Sequence, residues 1–156
     1  MFLWSIRGEI SGHMVSHEVV KVDPKKIKTI KEWKVHITIK QLRKFLGLTG
    51  YYRKFVKNYG RIATPLTTLL KKDAFSWTPK ETKAFEHLKE AMCLAPVLAT
   101  PNFTKTFIVE CDASGNGIGV VLMQEEGPIS FESRPIKGNY LDKYIYEKEC
   151  WQYYMH

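Results

Sequence analysis

Residues 106–124 constrain the fold of this chain more than any other stretch: Thr-Phe-Ile-Val-Glu-Cys-Asp-Ala-Ser-Gly-Asn-Gly-Ile-Gly-Val-Val-Leu-Met-Gln. Phe107, Val109 and Cys111 alternate with Thr106, Ile108, Glu110 and Asp112. That is a period of two with apolar residues on both faces, the pattern of a strand at the centre of a sheet. Residues 113–116 carry Ser, Gly and Asn and predict a turn. Residues 117–123 are rich in β-branched side chains and predict a second strand. Asp112 closes the first strand in this reading. A carboxylate there either faces a metal or caps the turn, and Asp is a favoured turn residue.

Gly127-Pro128 then predicts a turn into a third strand over 129–134, and residues 139–156 predict the start of a helix. Upstream, residues 6–22 place Gly8 and Gly12 among Ile10, Val15, Val19, Val20 and Val22, an extended hairpin. His13 and His17 lie four apart, a spacing that suits a metal on a helix; this segment reads as extended and offers no third ligand. Asp23 and Pro24 are N-cap and first residue of a helix whose apolar face is Ile27, Ile30 and Trp33. Thr38 and Gln41 form a capping box that opens a long helix over 39–59. Leu42, Phe45, Leu46, Thr49, Tyr52, Phe55, Val56 and Tyr59 follow its i, i+3, i+4 spacing. Gly47 and Gly50 cost roughly 1 kcal/mol each relative to Ala inside a helix, and so predict a close helix contact or a bend. Thr64-Pro65 predicts a short third helix around Leu66, Leu69 and Leu70. Thr78 and Glu81 form a second capping box, and Ala84, Phe85, Leu88, Ala91 and Met92 share one face before Pro96 ends the helix.

Composition enters through charge. The chain has 156 residues, room for one ordinary domain or two small ones, and carries a net charge of +8 with a pI near 9.3. Between Lys21 and Lys57 stand ten lysines and two arginines against Asp23 and Glu32, a net +10. Tyr51 and Tyr52 lie among them. Such a run is either a solvated helix face over a core stripe or a surface for phosphates. Cys93, Cys111 and Cys150 are widely spaced, with no CxxC pair, so neither a zinc ribbon nor a disulfide framework is indicated and a reduced intracellular setting is expected. No apolar run approaches the ~18 residues of a membrane span, and no membrane partner is expected.

Cys111-Asp112-Ala113-Ser114-Gly115 followed by Gly117-Ile118-Gly119-Val120-Val121-Leu122-Met123-Gln124 resembles the opening of the ribonuclease H domain of gypsy-type retrotransposon polyproteins. Arg43-Lys44-Phe45-Leu46-Gly47-Leu48-Thr49-Gly50-Tyr51-Tyr52-Arg53-Lys54-Phe55 resembles the thumb and connection region of the same polyproteins. Glu9-Ile10-Ser11-Gly12-His13-Met14-Val15-Ser16 with Val22-Asp23-Pro24 resembles the end of the reverse transcriptase palm, a hairpin that holds the primer strand. Tyr144-Ile145-Tyr146-Glu147-Lys148-Glu149 resembles the start of the first ribonuclease H helix. Four departures stand out. Ser11 replaces a usual Leu. Val19 replaces a turn Gly, where a β-branched residue resists positive φ. Glu132 replaces an apolar residue, where a buried carboxylate would be costly. Residues 150–156 diverge from the usual Leu and Ala.

The resemblance implies an α+β chain: a palm hairpin over 1–22, a helical thumb/connection and tether over 23–103, and the first part of a ribonuclease H-like fold over 104–156. That last part is a three-stranded antiparallel meander plus a first helix, truncated. It implies Mg²⁺ as cofactor, with Asp112 and Glu149 as the first two metal-binding carboxylates of hybrid cleavage. Glu147, two residues away on a helix, would point elsewhere. It implies nucleic-acid contacts, to an RNA–DNA hybrid or duplex, at Gly12, His13, Lys40, Arg43, Arg53, Lys54 and Lys57. The remaining polyprotein segments would be its other partners. The family's two further acidic ligands and the polymerase's Tyr-x-Asp-Asp motif have no counterpart in this sequence, so the expectation is a fragment without catalysis of its own. Two alternatives stay open: a non-catalytic basic nucleic-acid-binding module, and a decayed retroelement reading frame.

Overall fold

Three of the four described α-helices begin at a side chain that takes up an otherwise free N–H group; the third along the chain does not. The computed structural model describes residues 8–10, 13–15, 19–35, 38–114, 117–125 and 127–135. The Asp23 carboxylate accepts the Lys25 N–H at 2.9 Å, and Pro24 opens α1 (Pro24–Lys31). Thr38 and Gln41 cap each other's backbone at the start of α2 (Ile39–Tyr51). Asn58 precedes α3 (Tyr59–Thr68). Thr78 and Glu81 repeat the reciprocal cap for α4 (Pro79–Cys93). Caps of this kind stabilise a helix by about 1 kcal/mol.

Two helix expectations change. The long helix over 39–59 is broken: α2 stops at Tyr51, a 3₁₀ turn follows at Arg53–Phe55, Val56 is extended, and Asn58 is left-handed at φ 60°. The break turns Phe55 and Val56 into the core, where both are buried. Asn tolerates the left-handed region better than most residues, so this position is where the chain can reverse. The third helix begins at Tyr59 and not at Thr64, and Pro65 lies inside it. Ala63 is buried ahead of Pro65, which extends the apolar stripe upstream of the expected start. Packing of that stripe outweighs the local preference of Pro for a first turn.

The glycines of α2 divide. Gly50 has the Tyr59 hydroxyl 3.6 Å from where a Cβ would stand, and that hydroxyl shares a 3.0 Å hydrogen bond with the Thr49 hydroxyl. Gly47 is exposed and has nothing within 4 Å, so no internal contact accounts for it.

The helices enclose one core. Ile30, Leu42, Phe45, Phe55, Leu66, Phe85, Leu88 and Met92 are fully buried. The Phe45 and Phe85 rings meet at 4.4 Å between centroids, with Trp33 against Phe45 and Trp77 against Phe85. Lys89 ties α4 to the end of α1 by donating to the Trp33 carbonyl at 3.1 Å.

The described strands form two antiparallel sheets. The first has the order β1 (Gly8–Ile10), β2 (His13–Val15), β3 (Val19–Val22), β4 (Leu98–Ala99). The expected early hairpin is therefore joined by a strand from beyond α4, with Val19 opposite Ala99. Val19 lies within β3 and outside any turn; positive φ among the described non-glycine residues occurs only at Asn58 and Asp73. Its β-branched side chain suits the place it occupies.

The second sheet is the expected meander: β5 (Ile108–Ser114), β6 (Gly117–Gln124), β7 (Gly127–Pro135). The third strand starts at Gly127, earlier than expected, with a bulge at Leu122/Met123 facing it. β5 carries the residue pattern of a central strand and stands at the edge of the sheet among the described strands, with Phe107, Ile108 and Val109 exposed. Among the described elements, the 3₁₀ turn, α3 and β4 lie against β7, at the opposite side of the sheet. Residues 139–156, expected to begin a helix, lie outside the described residues.

Candidate nucleic-acid interface and carboxylate site

Asp112 does not close its strand. β5 runs on to Ser114, paired with Gly117, and Asp112 sits opposite Gly119. Pairing this far keeps Asp112 inside the ladder, two positions before its last described pair. The turn-cap reading of Asp112 fails for that reason: its side chain projects from the ladder, two residues short of the loop's flanking pair.

Strand alternation fixes what shares its face. Glu110 and Asp112 on β5, Gly119 and Val121 on β6, and Phe131 and Ser133 on β7 are directly paired positions of one face. This face meets the helical part. Phe131 packs on the core, and the Gly60 N–H donates to Ser133 Oγ at 2.7 Å. A Cβ on Gly60 would stand 2.9 Å from the Ser133 carbonyl oxygen, and one on Gly119 would stand 2.9 Å from Asn58 Oδ1. At Gly60 the near atom is backbone and leaves room only for glycine, whereas at Gly119 it is the end of the Asn58 side chain.

Asp112, itself exposed, lies between two recesses beneath this elbow. One, of about 100 Å³, is lined by Glu110, Asp112 and Glu132 with Lys57 and Asn58. The other is shallow and is lined by Arg61, Arg134, Asn58, Ser133 and Asp112. Glu132, expected as a costly buried carboxylate, is half-exposed. It pairs with Arg53 of the 3₁₀ turn at 3.5 Å and with Arg134 at 3.8 Å. A carboxylate so placed keeps its water and gains two cations, so the penalty of burial does not arise.

The cations read from the sequence fall into two groups. Lys40 and Arg43 stand on the exposed face of α2, in line with Lys44, Gly47 and Tyr51. Arg53, Lys54 and Lys57 follow the end of α2; Lys54 lies over the Phe55 ring at 5.3 Å, and Lys57 reaches the acidic recess. His13 is in β2, opposite Ile10 on one side and Val22 on the other. Gly12, Glu147 and Glu149 lie outside the described residues. Sequence reasoning missed Asn58, Gly60, Arg61 and Arg134. The signal was present as Asn58-Tyr59-Gly60, turn-forming residues inside a supposed helix.

Two hydroxyl-linked acids are shifted. Burial pushes the Tyr59 phenol up, against the hydrogen bond it shares with Thr49 and the charge of Arg53, which lower it. The Thr78 hydroxyl holds the Glu81 carboxyl below its ordinary range. Both belong to helix packing and capping. Among the described residues no three His, Cys, Asp or Glu side chains group as metal ligands, and Lys57 shares the acidic recess. The described donors do not by themselves fit a magnesium ion.

Comparison with known proteins places these features together. The family described as the ribonuclease H-like domain found in reverse transcriptase matches residues 77–155. The retrovirus-related Pol polyprotein from transposon 297 of Drosophila melanogaster is 43% identical over 140 residues, covering 88% of this chain and 13% of that polyprotein. That from transposon gypsy of the same fly is 37% identical over 142 residues, covering 83% and 14%. An uncharacterized mitochondrial protein of Arabidopsis thaliana is 48% identical over 96 residues, covering 62% and 61%. The chain thus spans about one seventh of the length of these two fly polyproteins. In fold it is similar to a foamy viral protease-reverse transcriptase in complex with RNA/DNA hybrid, with TM-score 0.77 at 22% identity, covering 86% of this chain and 19% of that one. A second structure, the foamy viral protease-reverse transcriptase dRH in complex with double-stranded DNA, matches with TM-score 0.78 at 21% identity, covering 90% and 25%.

Proposed function

The chain belongs to the family of ribonuclease H-like domains found in reverse transcriptase, and on that premise we propose that it holds a nucleic-acid duplex for a retroelement reverse transcriptase–ribonuclease H. One observation carries this reading. The basic face of α2 and the Asp112 face of the second sheet belong to bodies docked at the Gly60–Ser133 contact. A duplex on the one is therefore presented to the other at a set spacing.

Gly47 supports the assignment of the α2 face. A helix-interior glycine costs roughly 1 kcal/mol relative to Ala, and nothing among the described residues needs it here. It leaves bare backbone between Arg43 and Tyr51, where a sugar-phosphate backbone can approach closely. The foamy viral structures, which carry a hybrid or double-stranded DNA, support the same ligand class. Gly12 and His13 of the first hairpin, with Arg53, Lys54 and Lys57, extend the proposed contact surface. The remaining polyprotein segments are its proposed partners, with the palm hairpin, the helical tether and the ribonuclease H part divided at residues 22 and 103.

Asp112 and Glu149 are the proposed carboxylates of hybrid cleavage, with Mg²⁺ as their metal. The described residues supply only part of that set, and no cleavage step is assigned to them. This chain binds a hybrid without cutting it. Titration of a labelled RNA–DNA hybrid at rising salt tests the proposal. Affinity should fall steeply with salt, because each neutralised phosphate contributes a slope of about −0.9 in log K against log salt on B-form duplex. Lys40→Glu with Arg43→Glu should weaken binding most. Affinity indifferent to salt, or to that double change, would refute the duplex reading. Mg²⁺-dependent cleavage that disappears in Asp112→Asn would refute the absence of catalysis.

A further inference from the structure

We propose that Arg53 and Arg134, drawn together by Glu132, form a site for one backbone phosphate of the nucleic acid, so that the contact surface crosses from the helices onto the second sheet. The proposal rests on the duplex reading above and adds to it Arg134 and Glu132, which stand outside the Lys21 to Lys57 run. Arg53 belongs to the 3₁₀ turn that follows α2, and Glu132 and Arg134 belong to β7. One oxygen of the Glu132 carboxylate lies 3.5 Å from Arg53 Nη2, and the other lies 3.8 Å from Arg134 Nε. Glu132 and Arg134 alternate with Phe131 and Ser133 along the strand, so their side chains leave β7 on the face away from Asp112.

What sets these two arginines apart from the other surface cations is that their heads converge on a single anion. Neither contact is as short as the ~2.7–2.9 Å of a charge-assisted hydrogen bond. Each guanidinium carries several N–H donors, and the long contacts to Glu132 leave them for a second acceptor. The arginine side chains are 57% and 83% exposed, against 39% for Glu132. A ligand arriving from solvent therefore meets the arginines more readily than the carboxylate between them. A phosphate can offer oxygens to both planar forks at once, and little freedom is lost on binding because Glu132 has already gathered them.

Charge and position point to the backbone of the same duplex. Arg53, Glu132 and Arg134 together carry one positive charge. Arg53 comes two residues after Tyr51, the last residue of α2, whose exposed face holds Lys40, Arg43 and Lys44. The 3₁₀ turn lies against β7. Arg134 thus prolongs the basic face of α2 across the joint between helices and sheet. Glu132 stands where the resembling polyproteins have an apolar residue, so the carboxylate that gathers the pair is a feature of this chain. The pair faces away from Asp112, and a phosphate held there anchors the backbone without meeting that carboxylate.

The full chain with a labelled RNA–DNA hybrid, followed by anisotropy across a salt series, tests this. Arg134→Gln should weaken binding several-fold and flatten the salt slope by about 0.9, the share of one phosphate. Arg134→Lys should keep the slope. Thermal unfolding of both variants should match the parent, since the Arg134 side chain is exposed. Glu132→Gln keeps the shape and removes the charge that a phosphate must displace. It should tighten binding about threefold, the ordinary scale of a solvent-screened charge, and the gain should vanish in the Arg134→Gln background. An unchanged slope in Arg134→Gln, while Lys40→Glu with Arg43→Glu still abolishes binding, would overturn the phosphate site and leave the duplex reading standing. A Glu132→Gln gain that persists undiminished without Arg134, or a loss of affinity in Glu132→Gln, would overturn it as well. Failure of the parent chain to bind any hybrid would sink the duplex reading, and this site with it.

Discussion

In the helical part, Phe45, Phe55, Phe85, Leu88 and Met92 are wholly buried and three helices carry side-chain caps. In the described part of the β5–β7 sheet the one buried residue is Gln124, and Ile108 and Val109 are 47% and 40% exposed. The two regions are held by different forces. Apolar burial closes the first. The second rides on it through Phe131, the Gly60–Ser133 contact and the Arg53–Glu132 pair, while Gln124 fastens the sheet to the connector that precedes β5. Gln124 accepts the Asn102 N–H at 3.0 Å and donates to the carbonyls of Asn102 and Lys105. The lesson is that the most recognisable motif of the chain sits in its least packed region. Motifs track chemistry, and the residues around Asp112 serve a surface and not a core.

The largest expected effect breaks the comparison at its stronger side. Phe85→Ala should cost about 3–5 kcal/mol in urea unfolding, the usual range for a fully buried ring, whereas Val109→Ala should stay under about 1 kcal/mol. Equal losses would mean that the sheet is packed as tightly as the helices. Next comes the joint between the regions. Gly60→Ala should cost about 1–3 kcal/mol through a clash with backbone that cannot step aside. Its mark is where protection falls: amides of β6 and β7 should exchange faster while those of α2 and α4 hold. Gln124→Ala should cost a similar or smaller amount, about 1–3 kcal/mol, by leaving three backbone groups without their partner. Uniform loosening of helices and sheet together in either variant would argue against a sheet that rides on the helices.

The smallest effect concerns a cap. With Glu81 depressed by the Thr78 hydroxyl in the folded state, its contribution is present in full above the ordinary carboxylate range. It is lost as pH falls through the folded value. Thr78→Val should therefore lower the urea midpoint modestly at pH 7, and the two proteins should converge in acid. A gap that widens toward acid would reverse the assignment.

Much of this was legible because local signals and packing agreed. The capping boxes at Thr38 and Thr78, the stripe through Phe85, Leu88 and Met92, and the three-stranded meander stand as the sequence predicts. The break at Tyr52 was not, because Phe55, Val56 and Tyr59 keep helical spacing while entering the core from a 3₁₀ turn, an extended residue and the next helix. The residue pattern of β5 does not by itself place the strand at an edge: apolar residues on both faces of Phe107–Cys111 look the same whether or not a neighbour covers them. Two of the four departures from the family pattern fit the places they occupy. Val19 is at home in a strand, and Glu132 bridges Arg53 and Arg134. The site itself was half visible. Asp112 and Lys57 could be named, but the contact between Gly60 and Ser133 that brings α3 onto the Asp112 face is one that no local pattern announces.

Hydrogen exchange of the chain with and without a short RNA–DNA hybrid, at low salt, tests the duplex-holding claim most directly. Added hybrid should slow exchange across residues 40–47 and through the elbow at 57–61. The effect should disappear at high salt, and α4 should not change. A bound hybrid that leaves 40–47 and 57–61 untouched, or that protects α4 instead, would contradict the account.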